Sequence, residues 1–461
     1  MSEHSDSKLS RRTLVKGATA SGLLLPLTAS HAANMGDWGA NATPYLTGNF
    51  GPVAEETTLT DLKVIGDLPK DLVGRYVRNG PNPSGQVDPK GHHWFIGDGM
   101  VHGIRVENGK ALWYRNRYVK GGPNTHVIGH AGKTLAIVEA GQKPTELTDE
   151  LESVGSYDFG GTLQTAFSAH PKRDPDTGEL HVMTYNPGPP PFKVHYVVVD
   201  AGGKVTKTLA IPTNGPSMVH DIAVSQKYVV VFDFPVLANP GLIQQGYRFP
   251  FQWQPEYGSR VGLLPKNGTA EDVVWIDAPL AYVFHPMNAY DTADGKLVVD
   301  VCRYDRMFDG NFNGPFDSNA ELTLDRWTLD PAARTCKTDR IDDRPQEFPR
   351  AHPALESKSY RYGYTVALED NAFPTILKHD MEKGTAAEHR LSKGRSSGEA
   401  LFVPREGSTA EDDGYLLSWV FDANTDTSDF LVVDAASMAE RARVPLPVRV
   451  PYGFHGSWIA S

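Results

Sequence analysis

From about Leu59 onward the chain is a succession of short β-rich runs, and this constrains its fold more than any other feature. GRYVRNGPNP, HHWFIGDGMVHGIRV, GKALWYRNRYV, KTLAIVEAG, HVMTY, FKVHYVVVD, KYVVVFDF, KLVVDVCRYD, LTLDRWTLD, GYLLSWVFD and DFLVVD are separated by Gly, Pro, Asn and Asp. Alternation, β-branching and turn residues at intervals of roughly 10 to 20 positions predict antiparallel meanders. The absence of βαβ alternation argues against a doubly wound sheet. So many short strands over one long chain favour an all-β propeller over a sandwich, because radial blades leave only short edges and share an axis. No strict repeat marks the blades. Helical patterning is confined to 436–441, with weaker signals at 145–152 and 380–389. Long insertions over one face of the ring are expected at 234–260 and 303–319.

No linker or low-complexity block divides the 461 residues, so one large β unit suffices. Apolar residues make up 40% and charged residues 22%, enough for a substantial core. The formal charge of −11 and the lack of a basic cluster argue against nucleic acid. Cys302 and Cys336 can form one bridge at most and no disulfide framework. No protein partner is predicted.

The first residues read as a targeting segment. Ser10-Arg11-Arg12-Thr13-Leu14 precedes a mildly apolar run and the small-residue site Ser30-His31-Ala32, the pattern of a twin-arginine export signal. The expected organisation is a signal over 1–32, an N-terminal extension over 33–58 and a single β-propeller domain over 59–461. Export would place the mature protein in the periplasm or outside the cell, and an unused signal would leave it in the cytoplasm. No other stretch approaches the roughly 20 apolar residues of a membrane span.

Four histidines stand in distinctive settings: His170 in SAHPK, His220 in MVHDIAV, His285 in VFHPMNAYD and His455 in YGFHGSW. Separations of 50, 65 and 170 positions exclude a local metal knuckle, so only a fold that gathers distant segments can unite them. Neutral imidazoles suit iron, copper, zinc or nickel. No HExxH, CxxC or P-loop competes with them, and the only HxD pair is His4-Ser5-Asp6 near the N-terminus.

Those blocks, with QEFPR, GEALFVPR and EDDGYLLSWV, resemble the carotenoid cleavage oxygenase family over about 59–459. The resemblance implies a seven-bladed propeller with one non-haem Fe(II) on the axis, held by His170, His220, His285 and His455. It further implies that Glu139, Glu347 and Glu399 orient those histidines from behind, and that dioxygen is the co-substrate. The implied reaction splits a carbon-carbon double bond of an apolar polyene into two carbonyls. No acid or base beyond the iron site is demanded.

An apolar polyene needs an apolar channel. Phe284 and Phe454, each preceding a ligand histidine, are candidates to line it. Residues 234–253 resemble the family's apolar insertion at the tunnel mouth and are expected to offer peripheral membrane contact. Lys133 is a candidate for holding a substrate phenol, as a lysine and a tyrosine do in stilbene-cleaving relatives. Met100 and Val101 stand where such a tyrosine would help, which favours a carotenoid or apocarotenoid, above all an apocarotenal. A stilbenoid-cleaving dioxygenase is the alternative within the class, and a non-catalytic lipid- or protein-binding propeller the alternative outside it.

Overall fold

The computed structural model describes residues 43–316 and 320–461. The expected signal at 1–32 and the start of the extension lie outside them, as do residues 317–319 of the second insertion.

Seven antiparallel sheets of four to six strands form the blades. Blade one holds Gly74–Pro81, Gly99–Glu107 and Lys110–Tyr118, flanked by Thr58–Leu59 outside and Gly456–Ala460 inside. Blade two begins at His126–His130, blade three at Lys172–Arg173, blade four at Ile222–Val224, blade five at Tyr282–Asp291 and blade six at Gln346–Ala351. Blade seven begins with two short pieces, Arg395–Ser396 and Leu401–Pro404, both paired with Gly414–Asp422. Innermost strands pack on those of neighbouring blades around the ring. The all-β, seven-bladed expectation holds.

Central strands are β-branched, aromatic and buried throughout, as in Tyr228–Asp233 and Gly414–Asp422. Outermost strands are polar and half exposed: Val205–Pro212, Thr335–Asp342 and Thr385–Arg390 alternate or remain open to solvent, which blunts their free edges. Apolar layers between neighbouring sheets make up the core and continue around the ring.

The ring closes where Gly456–Ala460 pairs with Gly74–Pro81, with Gly74 opposite Ala460 and Arg78 opposite Gly456. Backbones approach closely here. A Cβ on Gly80 would lie 2.6 Å from Gly453 Cα, and one on Gly456 would lie 2.7 Å from Val77 O, so both motifs need glycine for space.

The helical expectations fail. Residues 436–441 form a turn entering strand Ala439–Leu446, 145–152 hold strand Thr145–Leu147, and 380–389 turn into Thr385–Arg390. Their Ala, Glu, Lys and Arg content reflects half-exposed blade positions, and pairing to the neighbouring strand outweighs helix propensity. Among the described residues the one α-helix is Pro240–Gln244, capped by the Asn239 side chain and lying in the first insertion. HHWFIGD is not strand: it forms a loop preceding Gly99–Glu107. Cys302 and Cys336 are not bridged.

Candidate metal centre and substrate chamber

Each blade delivers one of the seven expected site residues to the axis. His455 immediately precedes the closing strand of blade one, His170 and His220 precede the first strands of blades three and four, and His285 lies within that of blade five. Glu139 follows Lys133–Ile137 of blade two, Glu347 lies in Gln346–Ala351 of blade six, and Glu399 occupies the gap between the two inner pieces of blade seven. Local backbone irregularities aim them. The register slips between Val283 and Pro286 around His285, and between Glu347 and Arg350. Bulges of this kind redirect side chains beside functional sites. Phe348, inside the second bulge, has φ 54°, a conformation disfavoured for an aromatic residue.

Ring nitrogens of His170, His220 and His285 all lie within 4.8 Å of one another, an arrangement able to hold a metal ion. The His455 ring centroid sits 4.7 Å from those of both His170 and His285. His285 Nδ1 lies 2.6 Å from Glu347 Oε2, and His455 Nδ1 lies 2.9 Å from Glu399 Oε1. Glu139 Oε1 is 3.5 Å from His220 Nδ1. A carboxylate that takes the proton on one ring nitrogen leaves the lone pair of the other free for a metal. His170 Nε2 and His285 Nε2 are buried and find no hydrogen-bond partner among the described residues.

Electrostatics point the same way. Burial, then the neighbouring imidazoles, holds His170 and His455 well below the ordinary histidine range, and burial with His285 does the same for His220. Burial lowers His285 to about 3. All four rings are therefore neutral at physiological pH, as ligands must be. Burial also raises Glu139 well above the usual carboxylate range and Glu347 to about 8. Burial thus disfavours protonated imidazole and bare carboxylate alike, and a divalent cation at the imidazoles would offset the cost of the carboxylates' charge.

Several neighbours were not foreseen. Asp221 Oδ2 lies 3.7 Å from His170 Nδ1 and accepts a 2.8 Å hydrogen bond from Lys172 Nζ, so the fourth histidine also faces an acid. Arg350 Nε donates to Glu399 at 2.8 Å. His126 nitrogens lie 3.0 Å from Ala169 O and 3.2 Å from Gly456 O, which steadies the residues adjoining His170 and His455. Tyr185 and Tyr304 face Glu139 and Glu347 respectively. Asp221 and Lys172 stand inside the histidine blocks themselves, so their signal was proximity to a ligand; His126 and the tyrosines carried none.

Two cavities meet at the imidazoles. One, of about 380 Å³, is walled by Trp94, Phe95, Phe249, Phe251, Phe284 and Phe454, and reaches His220, His285 and His455. The other, of about 320 Å³, is mixed in character: the charged side chains Lys172, Asp221, Arg350 and Glu356 line it beside apolar ones, and it touches His170, His285 and His455. Phe284 and Phe454 thus stand where a tunnel lining was expected. Lys133 does not: it sits on a blade-two hairpin, 2.6 Å from Glu146 and over the Tyr157 ring, away from the chamber. Much of the apolar patch expected at 234–253 also turns inward. Phe234, Leu242, Phe249 and Phe251 are buried, leaving Ile243, 52% exposed, as the large apolar side chain open to water.

The family described as retinal pigment epithelial membrane protein matches over residues 50–122 and 119–460. The carotenoid cleavage oxygenase of Mycobacterium tuberculosis is 40% identical over 488 residues, which span 90% of this chain and 97% of that one. Among solved structures, the lignostilbene dioxygenase of Pseudomonas brassicacearum aligns with a TM-score of 0.85 at 26% identity, covering 91% of this chain and 99% of its own. Cobalt-substituted Synechocystis ACO aligns with a TM-score of 0.81 at 27% identity, covering 89% and 97%. Sequence blocks, propeller and histidine cluster agree with these matches: the chain belongs to the carotenoid cleavage oxygenase family and is an oxygenase.

Proposed function

We propose that the protein is a non-haem Fe(II) dioxygenase that cleaves a carbon-carbon double bond of a carotenoid or apocarotenoid, an apocarotenal above all, to two carbonyl products. One observation carries this reading: a chamber walled by aromatic rings ends directly on three of four clustered neutral imidazoles, each of the four facing a carboxylate. His170, His220, His285 and His455 would hold the iron, and Glu139, Glu347 and Glu399 would fix their tautomers. When bound, iron supplies the dioxygen chemistry.

The chain's own contribution is placement and exclusion of water. The chamber volume of about 380 Å³ falls in the range of ligand sites, and its walls draw an apolar chain out of water. Phe284 packs edge-on to His220 at 5.0 Å and Phe95 lies 6.5 Å from the same ring, so hydrocarbon meets the imidazoles without intervening polar side chains. Among the described residues lining this chamber there is no lysine, and its two tyrosines, Tyr185 and Tyr304, face Glu139 and Glu347. A phenol-holding pair is therefore missing, which favours a polyene.

Likeness to the lignostilbene dioxygenase supports a second reading, cleavage of a stilbenoid. Mass spectrometry of products after aerobic incubation of iron-loaded protein with apocarotenals, full-length carotenoids and hydroxystilbenes separates the two. Paired carbonyl fragments from a polyene are expected; fragments from stilbenes alone would overturn the substrate assignment, and no fragments from any of them would favour a binding protein. Export through the twin-arginine-type segment belongs to the same proposal, supported by Arg11, Arg12 and the Ser30-His31-Ala32 site, and cell fractionation tests it.

A further inference from the structure

The aromatic chamber is not uniform along its length. At its inner end the carboxylates Glu139 and Glu347 face imidazoles and phenols. At the other stands Arg248, exposed to solvent and the sole cationic side chain among the described residues that line the cavity. Among the described residues, no hydrogen bond or ion pair engages its guanidinium. Its backbone is nevertheless held: the Arg248 amide donates to Gly91 O at 3.0 Å, and the next residue, Phe249, stacks on His93 with ring centroids 4.0 Å apart. From Phe249 the path inward crosses one ring, Phe95, at 5.5 Å, and then reaches His220 at 6.5 Å.

A guanidinium contributes nothing to binding a hydrocarbon end. It is a forked donor suited to a carboxylate or carbonyl oxygen, and beside low-dielectric aromatic walls such a bond is stronger than in bulk water. We propose that Arg248 anchors the oxygenated end of the substrate, a terminal carboxylate or aldehyde oxygen, at the chamber mouth, and that this anchor selects which double bond lies at the imidazoles. The inference rests on the reading of the protein as a polyene-cleaving oxygenase. Because Phe249 meets Phe95 edge-on and Phe95 lies over His220, the anchored oxygen and the cluster are a set distance apart, and the number of conjugated carbons between them follows.

The test compares iron-loaded wild type with Arg248→Ala and Arg248→Lys on three polyenes of matched length: a terminal acid, the corresponding aldehyde and a hydrocarbon. In Arg248→Ala the preference for acid over hydrocarbon, as a ratio of kcat/KM, is expected to fall about tenfold, chiefly through KM, as loss of one charge-assisted contact at a wet rim implies. Cleavage should also spread to adjacent double bonds, and Arg248→Lys should recover part of the preference. Equal losses on all three substrates would assign Arg248 a packing role and overturn the anchor, as would a single unchanged product with an unchanged ratio. Binding of the polyene acid, followed by quenching of tryptophan fluorescence, tests the anchor without turnover. If wild type cleaves no polyene, the functional reading fails, while weaker acid binding in Arg248→Ala still upholds the anchor and equal binding sinks it.

Discussion

At the residue scale, the site is a set of imidazoles made available by what stands behind them. Glu347 and Glu399 hold His285 and His455 within hydrogen-bond distance, whereas Glu139 and Asp221 stand further from His220 and His170. Replacing His220 or His285 with Ala should abolish stoichiometric iron binding, measured by elemental analysis of the folded protein. Glu347→Gln should keep the fold and weaken metal affinity roughly 10- to 100-fold, read by competition with a chelator. An unaltered affinity would mean that Glu347 merely fills space. The histidines could be read in the sequence because each sits in a block of unusual composition. Asp221 could not be separated from its block, since an acid next to a histidine gains meaning only when a third segment, here His170, is folded against it. Lys133 shows the converse. Its chemistry suited a phenol, but a tight hairpin carries it away from the axis, and no local pattern reveals the direction in which a hairpin faces.

At the level of the strand, two blades repeat one device. His102 Nδ1 meets the Tyr114 hydroxyl at 2.9 Å in blade one, and His181 Nδ1 meets the Tyr196 hydroxyl at 2.7 Å in blade three. Both rings are buried and neutral: burial holds His102 well below the ordinary range and lowers His181 to about 4. In the unfolded chain these histidines titrate near 6.5, so between pH 6.5 and 4 the unfolded state binds more protons than the folded one. Their contribution to stability is therefore complete above pH 6.5 and declines as the pH falls towards 4. Denaturant titrations across that window should show His181→Gln with a shallower loss than wild type, and an identical slope would contradict the neutral, buried assignment. Strands were legible in the sequence because β-branched runs and turn residues act locally. Two of the three false helices arose on polar outer strands, where the residues that solvate the strand are also good helix formers, and the third holds the largely buried strand Thr145–Leu147. The chamber wall at Trp94 and Phe95 was read as strand because a buried aromatic loop and a buried strand share a composition.

The whole molecule unites segments that the chain keeps far apart. Seven blades give seven inward-facing residues, and this one-per-blade arithmetic was invisible before the blades could be counted. Close backbone contact at the seam makes it sensitive to single atoms. Gly80→Ala would drive a methyl group into Gly453, and a loss of about 1 to 3 kcal/mol is expected, visible as a lowered Tm. A Tm equal to wild type would show that the seam relaxes at no cost.

That seam has a consequence for linkage. His455 belongs to the segment that closes the circle: its amide donates to Thr125 O at 3.1 Å, its carbonyl accepts from Asn79 N at 3.1 Å, and Gly456–Ala460 then pairs with Gly74–Pro81. If those strands part, the fourth imidazole departs with them. Any ion held by all four rings therefore binds the sealed circle alone and, by mass action, suppresses its opening in proportion to its concentration above Kd. Amide hydrogens of Ser457, Trp458 and Ile459 should consequently exchange faster in chelator-treated protein than in loaded protein, while those of blade four exchange alike, so the hydrogen clock of one short strand would report the occupancy of a metal that it does not itself ligate.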